Sequence, residues 1–545
     1  MNKILIFYII IFIIIILTLF FNIKPFSYKM NIKAIANNYK GDGFITSNIC
    51  WNGKGYWKIN YLSLLNIYKP KTIQEIKMII NKAYTNNKKI TSRSGGHCYN
   101  NTSIQGNYIL KFTKNTLYNK SIYLEINNNF RKLYVDSTIR LGEIYLYLHN
   151  YNKINNTSIF IPGGTCSTVG IGGFLLGGGH SLLEPYYGSL CHLLESVNGL
   201  DSSGNYININ DNGIYDINEQ KYIKYDSKYM LALRGAGQNI MVCTQYVLNI
   251  TSLPEHNWSY KKYYLRLSGL NNKKKYINIL NKCLFLLKKC CDTNTPYICN
   301  GRFNIDSKHP IIEGGSPSEL KHNINQLYEI EILIIYPNYD IMNFVDDNII
   351  KLSTIENNLL SYGFELNHNV YNKEWYNLWY NYIGEFWDIS KTKYSVNLNY
   401  NSLIVEDTIH KNITFEDLPD RLDFLTHLNQ YGLYYTKNPH KMMYSKSNNN
   451  FSWPIKNIKY VLQIFSYDKF KKTLNIKDNF KGDKYYFNYP PSLPEDNKKP
   501  FTIVNNNYKY NLKYFYDTKN IPKIVEAVKF LNKNNVFENK LNLNY

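Results

Sequence analysis

The sequence predicts an α+β protein of more than one domain, and three observations carry that expectation. Runs with helical apolar spacing alternate with short strand-like runs from about residue 61 onward. One stretch, residues 161–188, crowds eight glycines between Gly163 and Gly179, although the chain of 545 residues holds only 30. Beyond Leu253-Pro254 glycine becomes sparse, which marks a change of domain. A hydrophobic fraction of 44% with 16% aromatic residues excludes a disordered chain.

Residues 4–21, ILIFYIIIFIIIILTLFF, form an unbroken apolar run of 18 after Lys3. That is the lower edge of a membrane span and longer than most signal-peptide cores. No small-x-small cleavage site follows, so residues 1–30 are read as a signal anchor or a signal peptide. The chain is therefore expected to be membrane-anchored or secreted, with the membrane as a partner where the segment stays uncleaved. Lys24, Lys29 and Lys33 outnumber Lys3, whereas sequons such as Asn257-Trp-Ser and Asn412-Ile-Thr favour a luminal side, so orientation stays open.

The globular pattern then begins. Lys69-Pro70-Lys71-Thr72 opens a helix with Ile73, Ile76, Ile79 and Ile80 on one face. A short strand, KKITSRS, runs into Gly95-Gly96-His97, delivering backbone N–H groups and one side chain to a common point. KLYVDSTIRLGEIYLYLHNY starts as a strand and turns helical after Arg140. In the glycine-rich stretch, the missing Cβ atoms let backbone lie against a flat or phosphorylated ligand. The interleaved Val169, Ile171, Phe174, Leu175 and Leu176 do not suit a polar linker. LLESVNGLDSSG reads as a strand closed by a hairpin turn at Asp201–Gly204. Residues 229–250 read as a helix, a glycine turn and an alternating strand, and farther on a helix over 270–292 and the strand EIEILIIYP belong to a second domain.

The formal charge of +22 raises nucleic acid as a partner, but only seven of the 63 basic residues are Arg and the Lys are scattered among Asn, Ile and Tyr. Base and phosphate readers lean on Arg forks, so a solvated basic surface and no nucleic acid are expected. Nine cysteines leave at least one unpaired. The Cys283, Cys290, Cys291 and Cys299 cluster could hold a disulfide in an oxidising compartment but has no zinc spacing, and no metal is expected.

Three segments, SRSGGHCYNNTSIQG, GTCSTVGIGGFLLGGGHSLLEPYYGSLCHLLESVNGLDSSG and LALRGAGQNIMVCTQYVL, resemble the FAD-binding half of the vanillyl-alcohol-oxidase type flavoproteins. More narrowly they resemble the berberine bridge enzyme-like oxidoreductases, and the late YYFNYP and NNNYKYNLKYFYDTKNIP look like that family's C-terminal segments. The resemblance implies a two-subdomain PCMH-type FAD-binding domain over 60–254. It also implies a substrate domain over 255–470, with an antiparallel sheet flanked by helices. A segment over 471–525 would return to the FAD domain, and 526–545 would be a tail.

It further implies FAD bonded twice, through His97 and Cys166, an imidazole and a thiol being natural nucleophiles toward an electrophilic ring. Arg93, Ser94, Gly95 and Gly96 match the pyrophosphate loop. Gly170, Gly172, Gly173, Gly177 and Gly178 would line the cofactor, with Asn239 and Thr244 beside it and Asn507 and Tyr508 touching the ring. Tyr486 matches the substrate-facing tyrosine, Gln463 the Gln or Glu that activates it or acts directly as base, and Tyr99 another active-site tyrosine. His180 stands where relatives carry Tyr or Phe, and either moves a proton or fills space over the ring. Val169 matches the oxygen-access residue, where a small side chain goes with oxidases. The implied activity is hydride transfer from an alcohol or sugar-type C–H to FAD, with a small-molecule substrate and O₂ as partners. Ala236, Gln238 and Met241 interrupt a glycine run of the family, and Phe174, Ser181 and Cys98 also depart from its pattern. An alternative is a flavin-binding protein that has lost turnover.

Overall fold

The computed structural model describes residues 67–95, 106–112, 117–167, 169–236, 239–253, 255–268, 272–292, 297–305, 327–338, 351–384, 516 and 518–538, together with the backbone of five later strands between 399 and 510. Strand β1 (Ile67–Tyr68) leads into α1 (Ile73–Thr85), and Thr72 caps that helix by accepting from the N–H of Glu75. Ile76, Ile80 and Ala83 are its buried face, as the helical spacing requires. Strands β2 (Ile90–Arg93) and β3 (Tyr108–Lys111) complete a three-stranded parallel sheet in the order β1-β3-β2.

A second sheet has seven strands, all antiparallel neighbours, in the order β4-β5-β10-β6-β7-β8-β9. It contains β4 (Ile122–Ile126), β5 (Arg131–Asp136), β6 (Leu194–Leu200), β7 (Tyr206–Asn210), β8 (Gly213–Asp216), β9 (Lys221–Lys224) and β10 (Val242–Asn249). Between β5 and β6 lie α2 (Leu141–Asn155), α3 (Ile171–Leu176) and α4 (Glu184–Tyr187), and α5 (Lys228–Leu233) precedes β10. The hairpin expected at Asp201–Gly204 joins β6 to β7. Gly204 there adopts φ +77°, and Asp201 Oδ1 accepts from the N–H of Ser203 at 2.8 Å. Strand β10 departs from the expected alternation: Val242 through Leu248 are all buried, so other parts of the chain cover both faces of the strand.

The third sheet, also antiparallel, has the order β14-β11-β13-β12-β16-β17-β15. Its strands are β11 (Trp258–Ser268), β12 (Ile298–Ile305), β13 (Leu327–Pro337), β14 (Glu365–Lys373), β15 (Asn399–Glu406), β16 (Leu425–Gln430) and β17 (Ile458–Ser466). Helices α6 (Lys273–Asp292) and α7 (Leu352–Ser361) pack on it through Leu280, Leu284, Ile355 and Leu359. Cys283 is a buried free thiol in α6, so it forms no disulfide. A short helix, α8 (Trp375–Leu378), then runs into a wider turn in which the N–H of Gly384 donates to the carbonyl of Trp379. Trp375, Leu378 and Trp379 join a core that also takes in Trp258, Tyr260 and Val370 of this sheet, the rings of Trp375 and Trp258 lying 5.6 Å apart.

Strands β18 (Phe501–Val504) and β19 (Asn507–Tyr510) form a separate pair. The end of the chain corrects the expected tail over 526–545. Helix α9 (Ile521–Leu531) buries Ile524, Ala527, Val528 and Leu531 in the same apolar core as Ile76, Ile80 and Leu200. After it, Phe537 bridges Ile90 in parallel, with the N–H of Ile90 donating to Val536 and that of Glu538 to Ile90. The amphipathic spacing IPKIVEAVKFL carried that information in the sequence. The apolar run at 4–21 lies outside the described residues, and among the described ones no helix is long and apolar enough to cross a membrane.

Candidate active site

Three segments meet at one point. The loop after β2 brings Ser94 and Gly95 against Gly170, the cap of α3. A Cβ added at Gly170 would sit 2.7 Å from Gly95 Cα and closer still to Gly95 N and Ser94 Oγ. Ser94 Oγ donates to the carbonyl of Ser137 at 2.6 Å, fastening the same loop to the turn after β5. From that turn, Arg140 bridges Gly170, Leu141 N donates to Val169 O, and Gly142 N donates to Ser167 O, each of the latter two at 3.0 Å. Gly172 is the second close approach, with Tyr246 Oη 3.0 Å and Ser94 Cβ 3.3 Å from the position of a Cβ. One turn position differs: a Cβ at the exposed Gly173 would meet nothing within 4 Å. Glycine thus serves packing at 170 and 172 and faces open space at 173.

The half-buried Cys166 precedes this junction by four residues. Its loop is held on the other side by two buried rings. Tyr145 Oη donates to the carbonyl of Gly164 and Trp379 Nε1 to that of Thr165, both at 3.1 Å. Val169 is partly buried against the core. Arg93 is buried at the end of β2.

Gly177 ends α3, and Gly178 and Gly179 follow with φ of +118° and +75°. Their carbonyls accept from Cys191 N and Leu190 N, and a Cβ at Gly179 would lie 2.7 Å from Leu190 Cβ. Next comes His180, whose Nδ1 sits 2.6 Å from Glu184 Oε2, while Glu184 Oε1 accepts from Ser189 Oγ. Glu184 is a buried carboxylate, so its two partners offset the loss of water around it. Burial pushes the Cys191 thiol well up, with Glu184 adding to the shift, and holds His192 well below the ordinary histidine range. Both groups therefore stay neutral at physiological pH.

Asn239 takes a left-handed conformation, φ +54°, and its Oδ1 accepts from Ser92 N on β2 at 3.2 Å. Thr244 differs from the expected cofactor contact: it is fully buried, with its hydroxyl between Asn198 O at 3.0 Å and Tyr118 Oη at 2.7 Å. It sits inside the sheet and supports the turn at Ser137, whose N–H donates to its carbonyl. Gln463 falls in β17 opposite Ser402 and His427, and Asn507 and Tyr508 fall in β19 opposite Val504 and Ile503. Gly96, His97, Tyr99 and Tyr486, named from sequence, lie outside the described residues. Sequence reasoning missed Tyr118, Asp136, Tyr145 and Trp379, which carry no local motif. Glu184 could have been found, as the i+4 partner of His180.

The residues present fit a flavin: two glycine-bearing loops in mutual contact, open space at Gly173, and a partly exposed thiol at Cys166 on the loop that leads into the junction. Residues 65–210 match the FAD_binding_4 family model, an FAD binding domain. Berberine bridge enzyme-like 4 of Arabidopsis thaliana is 29% identical over 167 residues, 30% of this chain and 30% of the relative. FAD-linked oxidoreductase janO of Penicillium janthinellum is 32% identical over 192 residues, 35% of this chain and 37% of the relative. The aligned stretches thus span about a third of the length of these curated relatives. Among solved structures, chitooligosaccharide oxidase superposes with a TM-score of 0.56 at 14% identity, covering 87% of this chain and 90% of that one. Glucooligosaccharide oxidase from Acremonium strictum, described with a 6-S-cysteinyl, 8α-N1-histidyl FAD, superposes at 0.54 with 14% identity over 87% and 90%. A grass pollen allergen with glucose dehydrogenase activity, Phl p 4, gives 0.55 at 14% over 87% and 89%.

The fold is therefore that of the PCMH-type flavoproteins. The chain carries an FAD binding domain over residues 65–210, and in sequence it is similar to berberine bridge enzyme-like proteins over about a third of their length.

Proposed function

We propose that the protein is an FAD-dependent oxidase of alcohol or sugar-type C–H bonds, with its FAD attached through both His97 and Cys166. The observation that carries this reading is the packing of Ser94 and Gly95 on Gly170, which joins the two segments bearing those attachment residues beside the open space at Gly173. Bound FAD would supply a two-electron acceptor for hydride and return the electrons to O₂ as H₂O₂. The chain's own residues do the rest. The Arg93–Gly96 loop and Gly170, Gly172 and Gly173 bind through backbone, while Gly177 and Gly178, whose N–H groups donate to Gly173 O and Leu175 O, close the turn that ends α3. Tyr486, polarised by Gln463, takes the proton of the substrate hydroxyl, and Tyr99 completes the pocket. His180, held by Glu184, borders the site. A positioned base of this kind contributes roughly 10²–10⁴-fold, and holding the donor carbon in place contributes more. Val169 leaves room for O₂.

The test begins with acid precipitation of the full-length protein. Yellow colour should stay in the pellet, and an intact mass spectrum should show one added FAD. A panel of sugars and alcohols should then bleach the flavin without air and yield H₂O₂ in air. Colour lost to the supernatant would remove the covalent attachment. Bound flavin that no donor reduces would instead support the reading without turnover. Flavin reduced by donors but not reoxidised by air would make the protein a dehydrogenase.

A further inference from the structure

We infer that Trp379 is a positioning residue for Cys166, so that closure of the Cys166–flavin bond depends on the segment that follows the third sheet. The inference rests on the proposed attachment at Cys166. Residues 374–384 follow β14, Glu374 meets α2, and Trp379 reaches the peptide unit before Cys166. Glu374 receives Asn152 Nδ2 at 2.7 Å and pairs with His149 Nδ1 at 2.8 Å, clamping the segment to α2. The His149 ring stacks on Tyr376 with centroids 4.4 Å apart. Trp379, 1% exposed, then reaches through to Thr165 O, and its ring meets Tyr145 at 4.6 Å. Tyr145 in turn holds Gly164 O, so two consecutive carbonyls are fixed by two touching rings. A side chain at Gly163 would collide with Tyr145, which leaves the loop no slack on that side.

Backbone fixed on both preceding carbonyls sets the direction of the Cα–Cβ bond at Cys166, and hence where its sulfur lies. Attachment at flavin C6 forms a C–S bond and breaks the S–H and C6–H bonds. Two protons leave, and the electron pair they leave behind passes to O₂, giving H₂O₂. The rate depends on sulfur-to-carbon approach, and a misplacement of about 1 Å costs on the order of 100-fold in such a step.

The experiment isolates each bond. In a His97→Ala background the only linkage left is through Cys166; in a Cys166→Ala background it is through His97. Trp379→Phe keeps the ring and removes the N–H donor. It should slow acid-stable flavin attachment by at least about tenfold in the first background and leave it unchanged in the second, with total bound flavin, read at 450 nm before denaturation, alike in both. Tyr145→Phe, which removes the other carbonyl contact, should act in the same direction and serves where Trp379→Phe does not fold. Equal loss in both backgrounds would make Trp379 a general packing residue and overturn the inference, as would undiminished attachment in the first. Wild-type protein that releases its flavin in acid would overturn the attachment itself, a result distinct from either.

Discussion

Gly170→Ala is expected to empty the protein of flavin and to destabilise it. The φ of −75° at this position suits any residue, so the penalty is purely steric. The new methyl group would press on the backbone N and Cα of Gly95 and on Ser94 Oγ, and a backbone neighbour cannot rotate away. Overpacking of this kind costs about 1–3 kcal/mol, and the upper end applies where backbone is struck. The two loops must part, and the face they form for the cofactor parts with them. Gly173→Ala is the matched comparison. Nothing lies within 4 Å of its Cβ position and Ala suits the α3 helix better than Gly, so the flavin-free variant should melt no lower than the flavin-free wild type. Its flavin content should fall all the same, because the new methyl group enters open space that the proposed cofactor would occupy. Thermal melts together with the 450 nm to 280 nm absorbance ratio decide both. A Gly170→Ala protein with full flavin and an unchanged melt would refute the junction as the organising contact of the site.

Asp136→Asn is expected to stabilise the protein above pH 6 and to flatten its pH dependence. Asp136 ends β5 with no exposed surface, and burial pushes its carboxyl up to about 6 despite hydrogen bonds from Thr138 N and Ser121 Oγ. The sign follows from proton counting. Between pH 3.8 and about 6 the unfolded chain has lost this proton while the folded chain still holds it. Stability therefore falls as pH rises through that window, and the full cost, about 3 kcal/mol, persists at higher pH. Asn keeps an acceptor for Thr138 N and offers a donor to Ser121 Oγ without any charge to desolvate. Chemical denaturation at pH 4.5 and pH 7.5 should show the variant gaining most of that amount at the higher pH only. A variant less stable than wild type at pH 7.5 would mean that the ionised carboxylate is needed in place. Since the carbonyl of Ser137, the next residue, receives Ser94 Oγ, the loop at Ser94 should feel the same change.

Much of this was legible because it is local. Thr72 before IQEIKMII gave the first helix and its cap, Asp201–Gly204 gave the hairpin, and the glycine density of 163–179 marked the site. Other features were hidden for equally physical reasons. Strand β10 reads as alternating only when one face is assumed wet; in the fold Val242 through Leu248 are all buried, so other parts of the chain cover both faces. Thr244, singled out for the cofactor, spends its hydroxyl on Tyr118 and Asn198 inside the sheet. No local rule picks Tyr145 or Trp379 from 52 tyrosines and seven tryptophans, because their partners are carbonyls distant in sequence.

The sequence by itself determined the local elements and marked the glycine-rich stretch that the family model covers. Helical and strand periodicity, turn chemistry and glycine's missing Cβ all act over a few residues. Only the tertiary structure decided which residues share one place. It put Gly170 on Gly95, Trp379 on the approach to Cys166 and Phe537 beside Ile90, contacts spanning 75, 214 and 447 residues of chain (170 minus 95, 379 minus 165, 537 minus 90). Contacts at such separations are set by how sheets and helices bury their apolar faces together, a property of the whole chain that no short stretch encodes.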